Sequence, residues 1–176
     1  MGKIVFILGG ARSGKSSYAI KLAKGHDKKV AFVATCLALD EEMKTRIGLH
    51  KKTRPGHWKT FEEPIDLVPL LKEITPGFDI VIIDCITLLI SNLLSKNLED
   101  DKIEERVGKL LEDLGSAKYK TLIVSNEVGL GIVPDNELGR RFRDLAGKIN
   151  QMIAHKASEV FFMVSGLPLK VKEKKG

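Results

Sequence analysis

Short apolar runs alternate along this chain with segments whose apolar residues recur every three or four positions. Apolar runs rich in β-branched residues are typical of buried strands, and the intervening periodicity is typical of amphipathic helices. Strands that alternate with helices form mostly parallel sheets with helices on both faces, so the pattern predicts an α/β fold. The predicted strands are Ile4–Leu8, Val30–Ala34, Asp79–Ile83, Thr121–Ser125 and Glu159–Val164, followed by a turn and a short C-terminal edge strand within residues 165–172.

Two segments in the second half of the chain predict long amphipathic helices that pack on the core. Their apolar stripes consist of Ile103, Val107, Leu110 and Leu114 in the first helix, and of Leu138, Phe142, Leu145, Ile149 and Met152 in the second.

Length and composition narrow the class of protein. A chain of 176 residues predicts a single domain, 1–176. No apolar run is long enough for a signal peptide or a membrane span, so we expect a cytoplasmic protein. Cys36 and Cys85 are the only cysteines, which argues against a disulfide framework or a zinc site and favours buried or partly buried thiols. The net charge of +6 is spread along the chain and aromatic residues are few, so we expect no nucleic-acid partner.

A phosphate-binding motif follows the first predicted strand directly. It comprises Gly9, Gly10, Ala11, Arg12, Ser13, Gly14, Lys15 and Ser16. Glycines let backbone N–H groups surround the phosphates, the lysine reaches the β- and γ-phosphate oxygens, and the serine hydroxyl ligates Mg²⁺. A helix that begins near the lysine adds the positive end of its dipole. The motif therefore predicts binding of a nucleoside triphosphate, without specifying the reaction.

Two other predicted strands end in polar residues that belong at the same edge of the sheet. Asp84 follows a buried strand and is placed to orient Mg²⁺ together with Ser16. The alternative is that Asp84 caps the following helix. Thr35 closes the second predicted strand and is a candidate nucleotide contact, because ligands of open α/β sheets lie outside the carboxyl ends of the strands.

His50 is the candidate nucleophile. It shares one helical face with Leu39, Met43 and Ile47, so it projects toward the body of the protein, where a histidine is often only a packed core residue. The neighbouring cations Lys51, Lys52 and Arg54 would suppress the imidazolium and leave a neutral nitrogen beside anionic phosphates. His57, next to Trp58 in a Pro-Gly turn, is better explained by loop packing.

Several motifs together resemble one enzyme family. Besides the phosphate loop, the chain has Arg-Ile-x-x-His-x-x-x-Arg-Pro-x-x-Trp at 46–58 and Asp-Cys-Ile-Thr at 84–87. It also has Ser-Asn-Glu-Val-Gly-x-Gly-Ile-Val-Pro at 125–134 and Phe-Arg-Asp-x-x-Gly-x-x-Asn-Gln at 142–151. Over nearly its whole length the chain is similar to the bifunctional adenosylcobinamide kinase/adenosylcobinamide-phosphate guanylyltransferases of cobalamin biosynthesis.

This resemblance implies two reactions on a corrinoid substrate. The first phosphorylates adenosylcobinamide with ATP or GTP, and the second transfers GMP from GTP to that phosphate through a guanylyl-histidine at the position of His50. It implies a fold like that of recombination-type P-loop proteins and a homo-oligomer, usually a trimer. By matching, the guanine nucleotide site would comprise residues 9–16, Ala34, Thr35, Cys36, Lys51, Lys52, Thr53, Arg54, Glu62 and Asp84.

Two other functions are compatible with the phosphate loop alone. One is a small-molecule kinase with a single activity, and the other is a nucleotide-switched binding protein without catalysis. A plain kinase would not need His50 among three cations, and a switch protein would not need Glu127 and the Gly129-x-Gly131 loop beside the site.

Overall fold

A computed structural model describes residues 2–24, 28–37, 48 and 54–173, and within these ranges seven strands form one sheet. The strands are β1 (Lys3–Gly9), β2 (Val30–Ala34), β3 (Lys59–Glu62), β4 (Ile80–Asp84), β5 (Lys120–Asn126), β6 (Glu159–Val164) and β7 (Leu167–Glu173). The α-helices of the described ranges are α1 (Lys15–Lys24), α2 (Leu67–Ile74), α3 (Ile86–Ser95), α4 (Asp100–Ser116) and α5 (Glu137–Lys156).

The sheet has the strand order β3-β2-β4-β5-β1-β6-β7. All neighbouring strands are parallel except β6 and β7, which form an antiparallel hairpin at one end. The register aligns the strand ends, since Ala34 pairs with both Glu62 and Asp84, and Gly9 pairs with Asn126. The predicted α/β class, with a mostly parallel sheet and a C-terminal edge strand, is confirmed, and the carboxyl ends of the six parallel strands, β1 to β6, lie at one edge.

Helices cover both faces of the sheet, which explains why its central strands are apolar at almost every position. On one face Phe6 and Val33 pack among residues of α2 to α5. On the other face Ile7 and Phe32 pack with α1 and with Trp58. No helix in the described part of the chain is long and apolar enough to cross a membrane.

Two features differ from the sequence-based expectations. β3 was not predicted, because it has only four residues, of which Phe61 alone is partly buried. Leu138 was expected in the core, but its side chain is 62% exposed in the first turn of α5, whereas Leu145 and Ile149 are buried. The α4 stripe is buried as predicted. Most of the predicted helix between residues 39 and 50 lies outside the described residues.

Candidate nucleotide-binding site

A cavity of about 500 Å³ opens at the edge where the parallel strands end. Its wall combines the loop after β1, the first turn of α1, and residues at or near the ends of β2 to β5. The lining residues are Ala11, Arg12, Ser13, Gly14, Lys15, Ser16, Ser17, Ala34, Cys36, Arg54, Glu62, Asp84, Cys85, Leu88, Val124 and Asn126. Sites in open α/β sheets lie at this edge, and the volume falls within the range of small-molecule pockets.

Backbone geometry explains two of the three glycines of the phosphate loop, Gly9 and Gly14. Gly14 has φ +92°, a conformation that residues with a Cβ rarely adopt, and an added Cβ would lie 3.2 Å from Cα of Gly166. At Gly9 an added Cβ would lie only 2.6 Å from the carbonyl oxygen of Met163. The Gly166 N–H also donates to the carbonyl oxygen of Ser13 at 3.0 Å. The β6–β7 turn therefore packs tightly against the phosphate loop and fixes its shape.

Lys15 brings a positive charge to the cavity wall. Its side chain is largely buried, with 7% of its surface exposed, at the start of α1. The ammonium group donates to the carbonyl oxygen of Gly10 and approaches Oγ of Ser13 at 3.5 Å. Because a nearly buried ammonium is poorly hydrated, it interacts strongly with anionic oxygen atoms that enter the cavity.

Ser16, in the first turn of α1, and Asp84, the last residue of β4, line the same cavity. A hydroxyl and a carboxylate are oxygen ligands of the kind that Mg²⁺ takes up together with waters and substrate phosphates. The described residues contain no group of three or more His, Cys, Asp or Glu placed to hold a metal by themselves. These two residues fit a magnesium ion that arrives with a triphosphate. The alternative prediction was that Asp84 caps the following helix. The N-cap residue of α3 is Cys85 and not Asp84.

Thr35 is fully buried and does not line the cavity. Its hydroxyl accepts a hydrogen bond from the N–H of Cys85 at 2.8 Å and donates to the carbonyl oxygen of Cys85 at 2.7 Å. Its own carbonyl oxygen accepts from Nδ2 of Asn92 at 2.8 Å. The side chain predicted to contact nucleotide thus fixes the backbone directly after Asp84. A direct nucleotide contact by Thr35 stays a prediction.

Arg54 joins the site from the segment before β3. Its guanidinium lies 3.6 Å from the ring centroid of Phe32 and donates to Oγ1 of Thr60 at 3.2 Å. Burial lowers the pKa of Arg54, and the nearby carboxylates of Asp84 and Glu62 oppose that shift. A cation stacked on a buried ring, close to two carboxylates, is held in a defined position at the cavity.

The two cysteines have the environments expected from the sequence, since Cys36 is partly buried and Cys85 is buried. Burial, followed by the charge of Asp84, raises the pKa of the Cys85 thiol to about 11. This thiol is therefore neutral at physiological pH and behaves as an apolar part of the cavity wall.

Four predicted site residues, His50, Lys51, Lys52 and Thr53, lie outside the described residues. Conversely, the cavity includes residues that were not predicted: Ser17, Cys85, Leu88, Val124 and Asn126. Of these, Cys85 and Asn126 stand within motifs quoted above, directly after Asp84 and Ser125. Leu88 and Val124 carry no sequence signal that separates them from ordinary core residues.

The sequence of this chain is similar to known proteins of one family. The sequence model of a family described as "Cobinamide kinase / cobinamide phosphate guanyltransferase" matches residues 5–171. The chain is 44% identical over 168 residues to the bifunctional adenosylcobalamin biosynthesis protein CobP of Pseudomonas aeruginosa, covering 94% of this chain and 95% of that protein. It is 38% and 39% identical to the bifunctional adenosylcobalamin biosynthesis proteins CobU of Escherichia coli and Salmonella typhimurium, in each case covering 96% of this chain and 99% of the relative. The chain therefore belongs to the cobinamide kinase/cobinamide phosphate guanyltransferase family.

Proposed function

We propose that this protein catalyses two successive steps of cobalamin biosynthesis. It phosphorylates adenosylcobinamide with ATP or GTP and then transfers GMP from GTP to adenosylcobinamide phosphate, which yields adenosylcobinamide-GDP. The observation that carries the proposal is a phosphate-loop cavity in a chain that spans nearly the full length of relatives named as bifunctional enzymes of this pathway.

In the kinase step the acceptor hydroxyl oxygen bonds to the γ-phosphorus of the nucleotide. The bond from that phosphorus to the β–γ bridging oxygen breaks, the nucleoside diphosphate leaves with the electron pair, and the hydroxyl proton passes to solvent. The backbone of the phosphate loop and Lys15 hold the triphosphate and stabilise the charge that develops on its oxygens. Ser16 and Asp84 would hold Mg²⁺, which supplies charge neutralisation when it is bound.

In the guanylyl transfer step a neutral imidazole nitrogen of His50 bonds to the α-phosphorus of GTP. The bond from that phosphorus to the α–β bridging oxygen breaks, and pyrophosphate leaves. A phosphate oxygen of adenosylcobinamide phosphate then attacks the same phosphorus, the P–N bond breaks, and the histidine is regenerated. The cations Lys51, Lys52 and Arg54 support this role because they disfavour the imidazolium and attract phosphate oxygens.

The test is covalent labelling with GTP. With the label at the α-phosphate the protein acquires radioactivity that is stable to base and lost in acid, as a phosphoramidate requires; with the label at the γ-phosphate it acquires none. His50→Ala abolishes the adduct, whereas the matched control His57→Ala, at an exposed position, retains it. Label on His50→Ala, or label retained from the γ position, contradicts the mechanism. A wild-type protein that phosphorylates adenosylcobinamide but forms no adduct and transfers no GMP is a single-activity kinase.

We also propose that residues 1–176 form one catalytic domain, which acts in the cytoplasm as a homo-oligomer, with a trimer as the expected state. Exposed apolar side chains support an assembly, because large apolar patches on a surface usually mark interfaces. They lie after β5, at Leu130, Ile132 and Val133, and on β7, at Leu167 and Leu169. Light scattering coupled to size-exclusion chromatography measures the state directly, and a monomer at micromolar concentration contradicts this part of the proposal.

A further inference from the structure

Asn126 occupies a central position at the cavity that the two reactions described above do not use. It is the last residue of β5, and β5 lies between β1, which leads into the phosphate loop, and β4, which ends in Asp84. The register places Asn126 beside Gly9, while Asp84 pairs with Val124, two residues earlier on β5. Asn126 lines the cavity and is half-buried. Asn126 thus stands between the phosphate loop and Asp84, the carboxylate proposed above to hold Mg²⁺.

Two buried side chains hold the backbone of Asn126. Its N–H donates to Oγ1 of Thr87 at 2.7 Å, and its carbonyl oxygen accepts from Nδ2 of Asn150 at 3.1 Å. The next residue, Glu127, donates its N–H to the carbonyl oxygen of Gly9 at 2.9 Å. Within residues 2–24, 28–37, 48 and 54–173 no hydrogen bond engages the side-chain amide of Asn126. The structure therefore fixes where this residue stands and leaves its amide for a ligand in the cavity.

We propose that Asn126 is a catalytic residue of the kinase step, whose Nδ2 donates a hydrogen bond to a nonbridging oxygen of the γ-phosphoryl group. This inference rests on the proposed function. During transfer, negative charge is distributed over the γ-phosphoryl and bridging oxygens, and a fixed neutral donor stabilises that charge without reorganisation. A carboxamide suits the position because, unlike the carboxylate of Asp84, it does not repel the phosphate.

The same geometry gives a role to Thr87 and Asn150, the latter from the motif at 142–151. Both are nearly fully buried and contact the backbone of Asn126 rather than the cavity. They are positioning residues, which act through Asn126 by fixing the end of β5. Their effect on turnover should therefore depend on the presence of the Asn126 side chain.

The test begins with wild-type protein assayed for both steps with Mg²⁺, ATP, GTP and adenosylcobinamide. Absence of phosphorylated adenosylcobinamide at this stage contradicts the proposed function itself, and with it the role of Asn126. If phosphorylation is observed, Asn126→Ala and Asn126→Asp are compared with Asn97→Asp, which makes the same chemical change at an exposed position.

For Asn126→Ala we expect kcat of the kinase step to fall by about 100- to 1000-fold, the range for loss of one preorganised donor, while KM for ATP changes by less than about threefold. The kcat of guanylyl transfer, which breaks a bond at the α-phosphorus, should also fall less, by a factor at least about tenfold smaller than the factor for the kinase step. Asn126→Asp should be no more active than Asn126→Ala, and Asn97→Asp should match the wild type. A kcat within about threefold of the wild-type value in folded Asn126→Ala, or equal losses in both steps, overturns the proposal.

Thr87→Val separates positioning from a merely structural role. We expect it to lower kcat of the kinase step by about tenfold in the wild-type background and to have little further effect in Asn126→Ala, because coupled residues are not additive. If Thr87→Val lowers kcat by the same factor in Asn126→Ala as in the wild type, Thr87 does not act through Asn126 and its positioning role is overturned.

Discussion

Thr35→Val tests whether this side chain serves the fold or the ligand. The substitution replaces a fully buried hydroxyl by a methyl group of similar size and removes both hydrogen bonds to Cys85. The carbonyl oxygen of Cys85 keeps a second partner, the N–H of Leu89 at 3.2 Å, but the N–H of Cys85 loses the hydroxyl as its partner.

The magnitude follows from these contacts. A buried donor without a partner costs about 1–3 kcal/mol, and loss of one of two bonds to a carbonyl costs about 0.5–1.5 kcal/mol. Together they lower the free energy of unfolding by about 1.5–4.5 kcal/mol. At about 2–4 °C per kcal/mol for a chain of this size, the melting temperature falls by about 3–18 °C.

The assay is urea unfolding of the wild type, Thr35→Val and Thr35→Ser without nucleotide, followed by nucleotide titration of each folded protein. We expect a lower midpoint with an unchanged slope for Thr35→Val, and most of the stability restored in Thr35→Ser, which keeps the hydroxyl. Thr35→Val with wild-type stability and a large loss of nucleotide affinity would falsify this reasoning and show that the hydroxyl contacts the ligand.

Three further predictions concern the cavity. Lys15→Ala should abolish both partial reactions through loss of about 2–4 kcal/mol of transition-state stabilisation, and near wild-type turnover of a folded variant in either assay contradicts a shared triphosphate site. Asp84→Asn should weaken nucleotide binding by about tenfold with Mg²⁺ but far less with EDTA, as measured by titration of a fluorescent nucleotide; equal losses argue against a metal role. Because the pKa of Cys85 rises from 9.0 to about 11 on folding, the unfolded chain releases this proton first. The stabilisation is complete below about pH 9 and disappears toward pH 11, so urea unfolding should show a steeper decline there for the wild type than for Cys85→Ala.

Local signals in the sequence were enough to predict every strand of the sheet except β3, and the phosphate loop. A run such as Val30–Ala34 is apolar at every position because the strand is buried on both faces. This apolar character can be recognised in the segment itself, without knowledge of the strands with which it pairs. The sequence signal of the loop at residues 9–16 is also local, because Gly14 and Lys15 lie next to each other in one compact turn at the start of α1. Short or solvent-facing features were less predictable. β3 is a short strand at the edge of the sheet that pairs with β2, and Leu138 follows helical periodicity but is exposed.

The α/β class, the phosphate loop and the family were all predictable from the sequence, because they depend on residue types at fixed spacing along the chain. Which distant residues share the cavity depends instead on the three-dimensional arrangement of the strands. Arg54, Asp84 and Asn126 meet there because the strand order brings separate chain segments to one edge of the sheet. Only the structure showed that the hydroxyl of Thr35 bonds to the backbone of Cys85, since this neighbour is set by the packing of β2 beside β4.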